Sequence, residues 1–247
     1  MGVYVLVHGA WHGAWCWDQV AALLRRAGQQ VYAPTLTGLG ESASLLTPNI
    51  GLDTHVQDVV ELLQQEDLQQ VILVGHSYAG MVITGVADAR PQRIKNLVYL
   101  DAVVPHDGES MADIAPLVIN VFRREAQKTG AGWRVNPPRV RPAALGGLFG
   151  ITQEPDLSLV RAKVTPQPLK TFLQPLHLTN RAAVASIERT FIHCKGGGRV
   201  RALLQRVLTR GSGPPNEPGW RVWELPSGHD AMILAPRQLT DLLLRLA

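Results

Sequence analysis

The run Gly75-His76-Ser77-Tyr78-Ala79-Gly80 sets a hydroxyl among small residues. It follows an apolar run at residues 71–74 and opens a helical pattern over 78–89. A serine nucleophile needs this setting: a sharp strand-to-helix turn that presents its oxygen, with small residues two before and two after it. Gly75 and Ala79 meet that demand, and Gly80 relieves crowding one place later. The second small position is Ala rather than Gly, so the G-x-S-x-G pattern is only approximated. A Gly-rich turn without chemistry would share the composition; the flanking elements favour the catalytic reading.

A serine hydroxyl needs a base, an acid behind the base, and donors for the developing oxyanion. His229, in Pro226-Ser227-Gly228-His229-Asp230, follows the last apolar run and precedes a C-terminal helical pattern. A histidine there can reach the carboxyl edge of a sheet, and the chain order Ser…His suits that arrangement. The usual position for the acid, after the run ending at Cys194, reads Lys195-Gly196-Gly197-Gly198-Arg199 and holds no carboxylate. Asp101, ending the run after the nucleophile's, is the natural substitute; capping a turn is its bland alternative. Asp230 is disfavoured as the acid because the neighbour of a catalytic histidine points elsewhere. The oxyanion donors are assigned to the backbone N–H of Tyr78 and, in the loop His8-Gly9-Ala10-Trp11-His12-Gly13-Ala14-Trp15, to that of Ala10. His8 and His12 are four apart, but in a Gly-broken loop with no carboxylate following. They read as loop braces rather than metal ligands, and no metal is assigned.

These residues require a frame. Val3–Val7 is a short, nearly all-apolar run of the kind buried on both faces of a parallel sheet. A helix follows over 15–27 and stops at Gly28; then come a strand at 31–33, a helix at 52–66 capped by Asp53 or Thr54, and strands at 71–74 and 97–101. The β–α–β–α order predicts an α/β fold: a mostly parallel central sheet with helices on both faces. From about Pro105 to Arg181 the strand rhythm breaks, and prolines mix with Trp133 and Phe149. Residues 105–181 are read as a cap insertion of short helices and turns, and residues 1–104 and 182–247 as the core of a single domain with a lid. In the second part, a strand is expected at 190–194, a helix at 200–208, a Gly/Pro-rich loop at 211–219, a strand at Trp220–Leu225 and a last helix from Pro236.

The chain has 247 residues, a formal charge of +4 and 18% charged residues. Its basic residues are scattered and not interleaved with aromatics, which speaks against nucleic-acid binding. Cys16 and Cys194 have no metal-ligand spacing and form no disulfide framework. No apolar run approaches the roughly 18 residues that span a bilayer. With no basic leader pattern at the start, the expected setting is cytoplasmic and away from membranes.

Taken together, His8 to Trp17, Pro34-Thr35-Leu36-Thr37-Gly38-Leu39-Gly40-Glu41, Gly75 to Gly80, and Gly228-His229-Asp230-Ala231-Met232 carry a resemblance. The sequence resembles the α/β-hydrolase superfamily, and most the branch of small esterases that includes plant methylesterases, hydroxynitrile lyases and bacterial arylesterase-like and pyrethroid-hydrolase-like enzymes. The resemblance implies an α/β-hydrolase core, a cap over the site, no cofactor and a possible homodimer. Lyase members carry a hydroxyl residue where Gly9 stands and, where Asp230 stands, a lysine that helps stabilise the departing cyanide; its replacement by a carboxylate argues against cyanohydrin cleavage.

The expected function is hydrolysis of small to medium apolar or aromatic carboxylic esters through an acyl-serine. Ser77, His229 and Asp101 are the expected catalytic residues, and Trp11, His12, Trp133 and Phe149 the candidate substrate-binding ones. The aromatics among them serve equally well as cap core. Dehalogenase or epoxide-hydrolase chemistry would need a carboxylate at position 77. A lyase or C–C hydrolase using the same serine and histidine, and a non-catalytic ligand-binding member, are the alternatives.

Overall fold

A computed structural model describes residues 1–138, 149–196, 215, 216 and 218–247. Six strands form one sheet: β1 (Val3–Val7), β2 (Gln30–Tyr32), β3 (Val71–His76), β4 (Ile94–Leu100), β7 (Glu188–Cys194) and β8 (Trp220–Leu225). Their order is β2-β1-β3-β4-β7-β8, and every neighbouring pair is parallel. All six residues of β3 are buried, as a central parallel strand covered on both faces requires.

The chain runs outward from β1 to β2, then back across to β3. Right-handed crossovers therefore put α1 (Asp18–Arg26) on one face and α2 (Leu52–Gln65) and α3 (Ala79–Ala89) on the other. The reversal opens a crevice between the carboxyl ends of β1 and β3, where open α/β sheets bind ligands.

Between β4 and β7 lie α4 (Met111–Ile114), α5 (Pro116–Thr129), β5 (Arg134–Val135), α6 (Asp156–Lys163), β6 (Gln167–Pro168), α7 (Lys170–Leu173) and α8 (Arg181–Ser186). The strands β5 and β6 pair antiparallel, away from the main sheet. After β8 come a short helix, α9 (Ala231–Leu234), and α10 (Pro236–Leu244), which packs on α1.

Local boundaries differ in small ways from expectation. The helix expected over 15–27 begins as a 3₁₀ turn (Ala14–Trp17) before α1, and ends near Gly28 at φ +77°. The N-cap of α2 is Gly51, not Asp53 or Thr54; the Thr54 hydroxyl instead accepts the Gly51 N–H at 3.2 Å. The helix α9 was not expected. The expected helix at 200–208 and most of the loop at 211–219 lie outside the described residues. No helix among the described residues is long and apolar enough to cross a membrane.

Candidate active site

The serine sits between β3 and α3 with φ +56°, a left-handed conformation that costs a side-chain-bearing residue about 1–3 kcal/mol. Small neighbours make the turn possible. A Cβ on Gly75 would lie 2.7 Å from the Ala79 carbonyl oxygen and 2.9 Å from Ile83 Cγ2. On Gly80 it would lie 1.9 Å from the Val103 carbonyl oxygen. The glycine at 80 thus admits the chain leaving β4, which is strapped to the turn: Ser77 N–H donates to Leu100 O and Val103 N–H to Ser77 O, both at 3.2 Å.

Three side chains from three strand ends meet there. Ser77 Oγ lies 2.9 Å from His229 Nε2, and His229 Nδ1 lies 2.6 Å from Asp101 Oδ2. With the Nδ1 proton directed to the carboxylate, Nε2 is left as an acceptor for the serine proton. Ser77 and His229 are partly exposed, whereas the Asp101 side chain is buried. Asp101 has φ +42°; its N–H donates to Ile192 O at 2.8 Å, and its Oδ1 accepts the Cys194 N–H at 3.3 Å. His193 Nδ1 stands 3.5 Å from the same oxygen. The end of β7 thus braces the Asp101 carboxylate through the Cys194 N–H.

The loop after β1 lies against the serine. A Cβ on Gly9 would lie 3.1 Å from Ser77 Cβ and 2.8 Å from His76 Nδ1. Among the described residues, no acceptor takes the N–H of Ala10 or of Tyr78. The Trp11 N–H, by contrast, is taken by Gln167 Oε1 at 2.9 Å. The Tyr78 hydroxyl donates to His55 Nδ1 at 3.0 Å, and His55 Nε2–H donates to Thr37 O at 3.0 Å.

Four buried histidines crowd this region, and their states differ. Burial, joined by the nearby His12 and His55, pushes His8 down to about 3 against the pull of the Gly9 carbonyl. Its Nδ1–H donates to Gly9 O and its Nε2 accepts the Leu36 N–H. Burial, with His229 and His12 nearby, pushes His76 down to about 3, and its Nε2–H donates to the His229 carbonyl at 3.1 Å. Burial likewise lowers His55 to about 4. In His12, burial opposes the proton, but the charge and hydrogen bond of Asp230 outweigh it and raise the pKa. Asp230 answers: burial raises it, His12 more than compensates, and the net direction is down.

Of the expected substrate-binding residues, His12 is engaged within the protein. It is buried, stacked on Trp15, with both ring nitrogens committed to Ala10 O and Asp230. Trp133 pairs with the Arg134 guanidinium and accepts the Leu169 N–H through its carbonyl, contacts that lie within the 105–181 segment. Trp11 and Phe149 are each 3% exposed. With Phe122 and Phe172 they form an aromatic seam between that segment and the core, ring centroids 5.2–6.2 Å apart. Trp11 Nε1–H also donates to Val135 O. Sequence reasoning missed the His12–Asp230 pair and the roles of His76 and His193. The one signal was a carboxylate following the base.

Known proteins resemble this chain along most of its length. The chain is 36% identical to a carbendazim hydrolyzing esterase of Nocardioides sp., over 98% of each chain. It is 29% identical to putative methylesterase 13, chloroplastic, of Arabidopsis thaliana, covering 99% of this chain and 56% of that one, so it spans about half the length of that relative. A crystal structure of an Arabidopsis methylesterase superposes with a TM-score of 0.71 at 27% identity, covering 99% of this chain and 98% of that one. A model of the alpha/beta hydrolase family matches residues 4–242, and the chain belongs to that family.

Proposed function

We propose that this protein is a serine-dependent carboxylic ester hydrolase. The observation that carries the reading is the hydrogen-bonded series Ser77–His229–Asp101, assembled from the ends of β3, β8 and β4 with the serine at φ +56°. Ser77 Oγ attacks the ester carbonyl carbon while its proton passes to His229 Nε2. Asp101 orients the imidazole and balances the imidazolium. The N–H groups of Ala10 and Tyr78 receive the oxyanion; each such donor is worth about 10²–10³-fold in rate. The tetrahedral adduct collapses, the C–O bond breaks, and the departing alcohol takes the proton from His229. Water then attacks the acyl-serine by the same steps and releases the acid.

Residues 105–181 serve as the lid. The substrates are small to medium esters with apolar or aromatic parts, and the carbendazim-hydrolysing relative makes carbendazim itself a first substrate to try. A lyase reading is not favoured: Gly9 has no space for the side chain a hydroxyl residue would bring, and Asp230 is a buried carboxylate.

The test is a panel of nitrophenyl esters and carbendazim, with fluorophosphonate labelling. Wild-type protein is expected to turn over esters and to be labelled at Ser77, and Ser77→Ala to lose both. Ester turnover retained by Ser77→Ala would overturn the assignment.

A further inference from the structure

Two charged residues that the ester mechanism does not use join the loop after β1 to the loop after β8. His12 and Asp230 are 1% and 0% exposed, with Nε2 and Oδ2 3.1 Å apart. The other ring nitrogen of His12 lies 2.8 Å from the Ala10 carbonyl oxygen. The charge and hydrogen bond of His12 keep the Asp230 carboxyl ionised; a carbonyl and an ionised carboxylate both accept, so both ring nitrogens donate and the ring is an imidazolium. The pair is therefore ionic, in agreement with the raised His12 and lowered Asp230.

Each partner is tied to a part of the site. The Gly9 carbonyl accepts His8 Nδ1–H at 2.9 Å and His12 N–H at 3.4 Å. A peptide unit is planar, so fixing the Gly9 oxygen fixes the opposed N–H of Ala10. His12 Nδ1–H then holds the next peptide through the Ala10 oxygen. On the other side, Asp230 directly follows His229, and its own N–H donates to Phe149 O at 3.0 Å.

Charges are expensive to sequester, and hydrophobic residues of similar volume often stabilise as well. The geometry accounts for their presence by alignment. We propose that His12 and Asp230 are positioning residues, a buried pair that locks the Ala10 N–H and the His229 loop into one relative geometry. The proposal rests on the ester-hydrolase reading above.

Three variants separate its parts. Asp230→Asn keeps the shape and removes the charge. His12→Gln can keep the arm to Asp230 but not the donor to Ala10; His12→Asn can keep the donor to Ala10 but not the arm. Each is assayed for kcat and KM on nitrophenyl butyrate, and for the affinities of phenylboronic acid, which becomes tetrahedral on Ser77, and of butyranilide, which stays planar. For Asp230→Asn and His12→Gln, kcat/KM falls about 10–100-fold, carried by kcat. Boronate affinity falls by a similar factor, and butyranilide affinity stays within about 2-fold. His12→Asn loses less boronate affinity than His12→Gln. Folded variants in which both ligands weaken together, or neither weakens, overturn the proposal. So does nitrogen NMR of the wild-type protein at pH 7 if His12 proves neutral, a readout independent of whether any variant folds. Failure of Ser77 to react with a fluorophosphonate in the wild type sinks the hydrolase reading, while the NMR result still reports on the pair.

Discussion

Asp101 Oδ2 lies 2.6 Å from His229 Nδ1, although the two residues stand at the ends of β4 and β8 with β7 between them in the sheet. The carboxylate therefore reaches past a whole strand to the imidazole. It does so from a left-handed backbone conformation, braced by the Cys194 N–H.

This relationship predicts the cost of removing the carboxylate charge. Asp101→Asn keeps the volume but can present an N–H to His229, favouring the wrong tautomer. Turnover of a nitrophenyl ester should fall about 10³–10⁴-fold in kcat with the fold retained. Asp230→Asn should cost about 100-fold at most, because Asp230 touches His12 rather than His229. Equal losses in the two variants, in steady-state kinetics with matched melting curves, would remove Asp101 from the acid's role.

Much of this was legible in the residues. The apolar runs gave the strands because a central parallel strand is apolar on both faces, and the spacing around Ser77 gave the turn because a Cβ at 75 meets backbone. Asp101 could be reached as the candidate acid by elimination, since the loop after Cys194 offers no carboxylate. The pairing of His12 with Asp230 was not legible: it joins residues 218 apart, and nothing in either local pattern marks the other. The aromatics were legible as a group but not in their task. Burial of Trp11 and Phe149 in a seam depends on how the segment between β4 and β7 folds back, and proline-rich short helices carry little periodic signal.

The closeness of Gly9 to the site yields a second prediction. Its absent Cβ leaves room for His76 Nδ1 and Ser77 Cβ, at 2.8 and 3.1 Å from where that atom would stand. Gly9→Thr should push Ser77 away from His229 and lower ester kcat/KM by at least about 10-fold, in line with the penalty for misplacing a nucleophile. Cyanide release from mandelonitrile should stay absent. A Gly9→Thr protein that cleaves mandelonitrile while keeping ester turnover would show that the loop yields more than its contacts suggest.

Gly80 supports a prediction on stability. A Cβ there would lie 1.9 Å from the Val103 carbonyl oxygen, and neither backbone is free to move, since Val103 N–H is bound to Ser77 O. Gly80→Ala should destabilise by about 3 kcal/mol or more, lowering the melting temperature by roughly 6–12 °C. Gly108 is the control: at φ +82° with nothing within 4 Å of a built Cβ, Gly108→Ala meets only the backbone penalty of about 1–2 kcal/mol. Thermal melts that rank the two the other way would contradict the packing described at the turn.

The buried histidines predict how the fold responds to acid. His8 and His76 are held near 3 and His55 near 4, burial being the largest cause in each. Unfolded, each would bind a proton near 6.5. Below that value the unfolded chain takes up protons that the folded chain refuses, so stability falls with pH from about 6.5 down to the folded values. At pH 5 each of the three costs on the order of 2 kcal/mol relative to neutral pH. His12 has the opposite sign: its raised pKa contributes stability below about 6.5 and loses it as pH rises through the folded value. Asp230, lowered, keeps its contribution above about 3.9 and loses it only as pH falls further. Three groups against one leave a net loss between pH 7 and 5, of a size comparable to the whole stability of many domains. Urea melts across that range should show the midpoint falling steeply, and His55→Gln should flatten the slope. A midpoint constant from pH 7 to 5 would mean that these rings are protonated in the folded protein, and the hydrogen-bond assignments of His8 and His55 would fall with it.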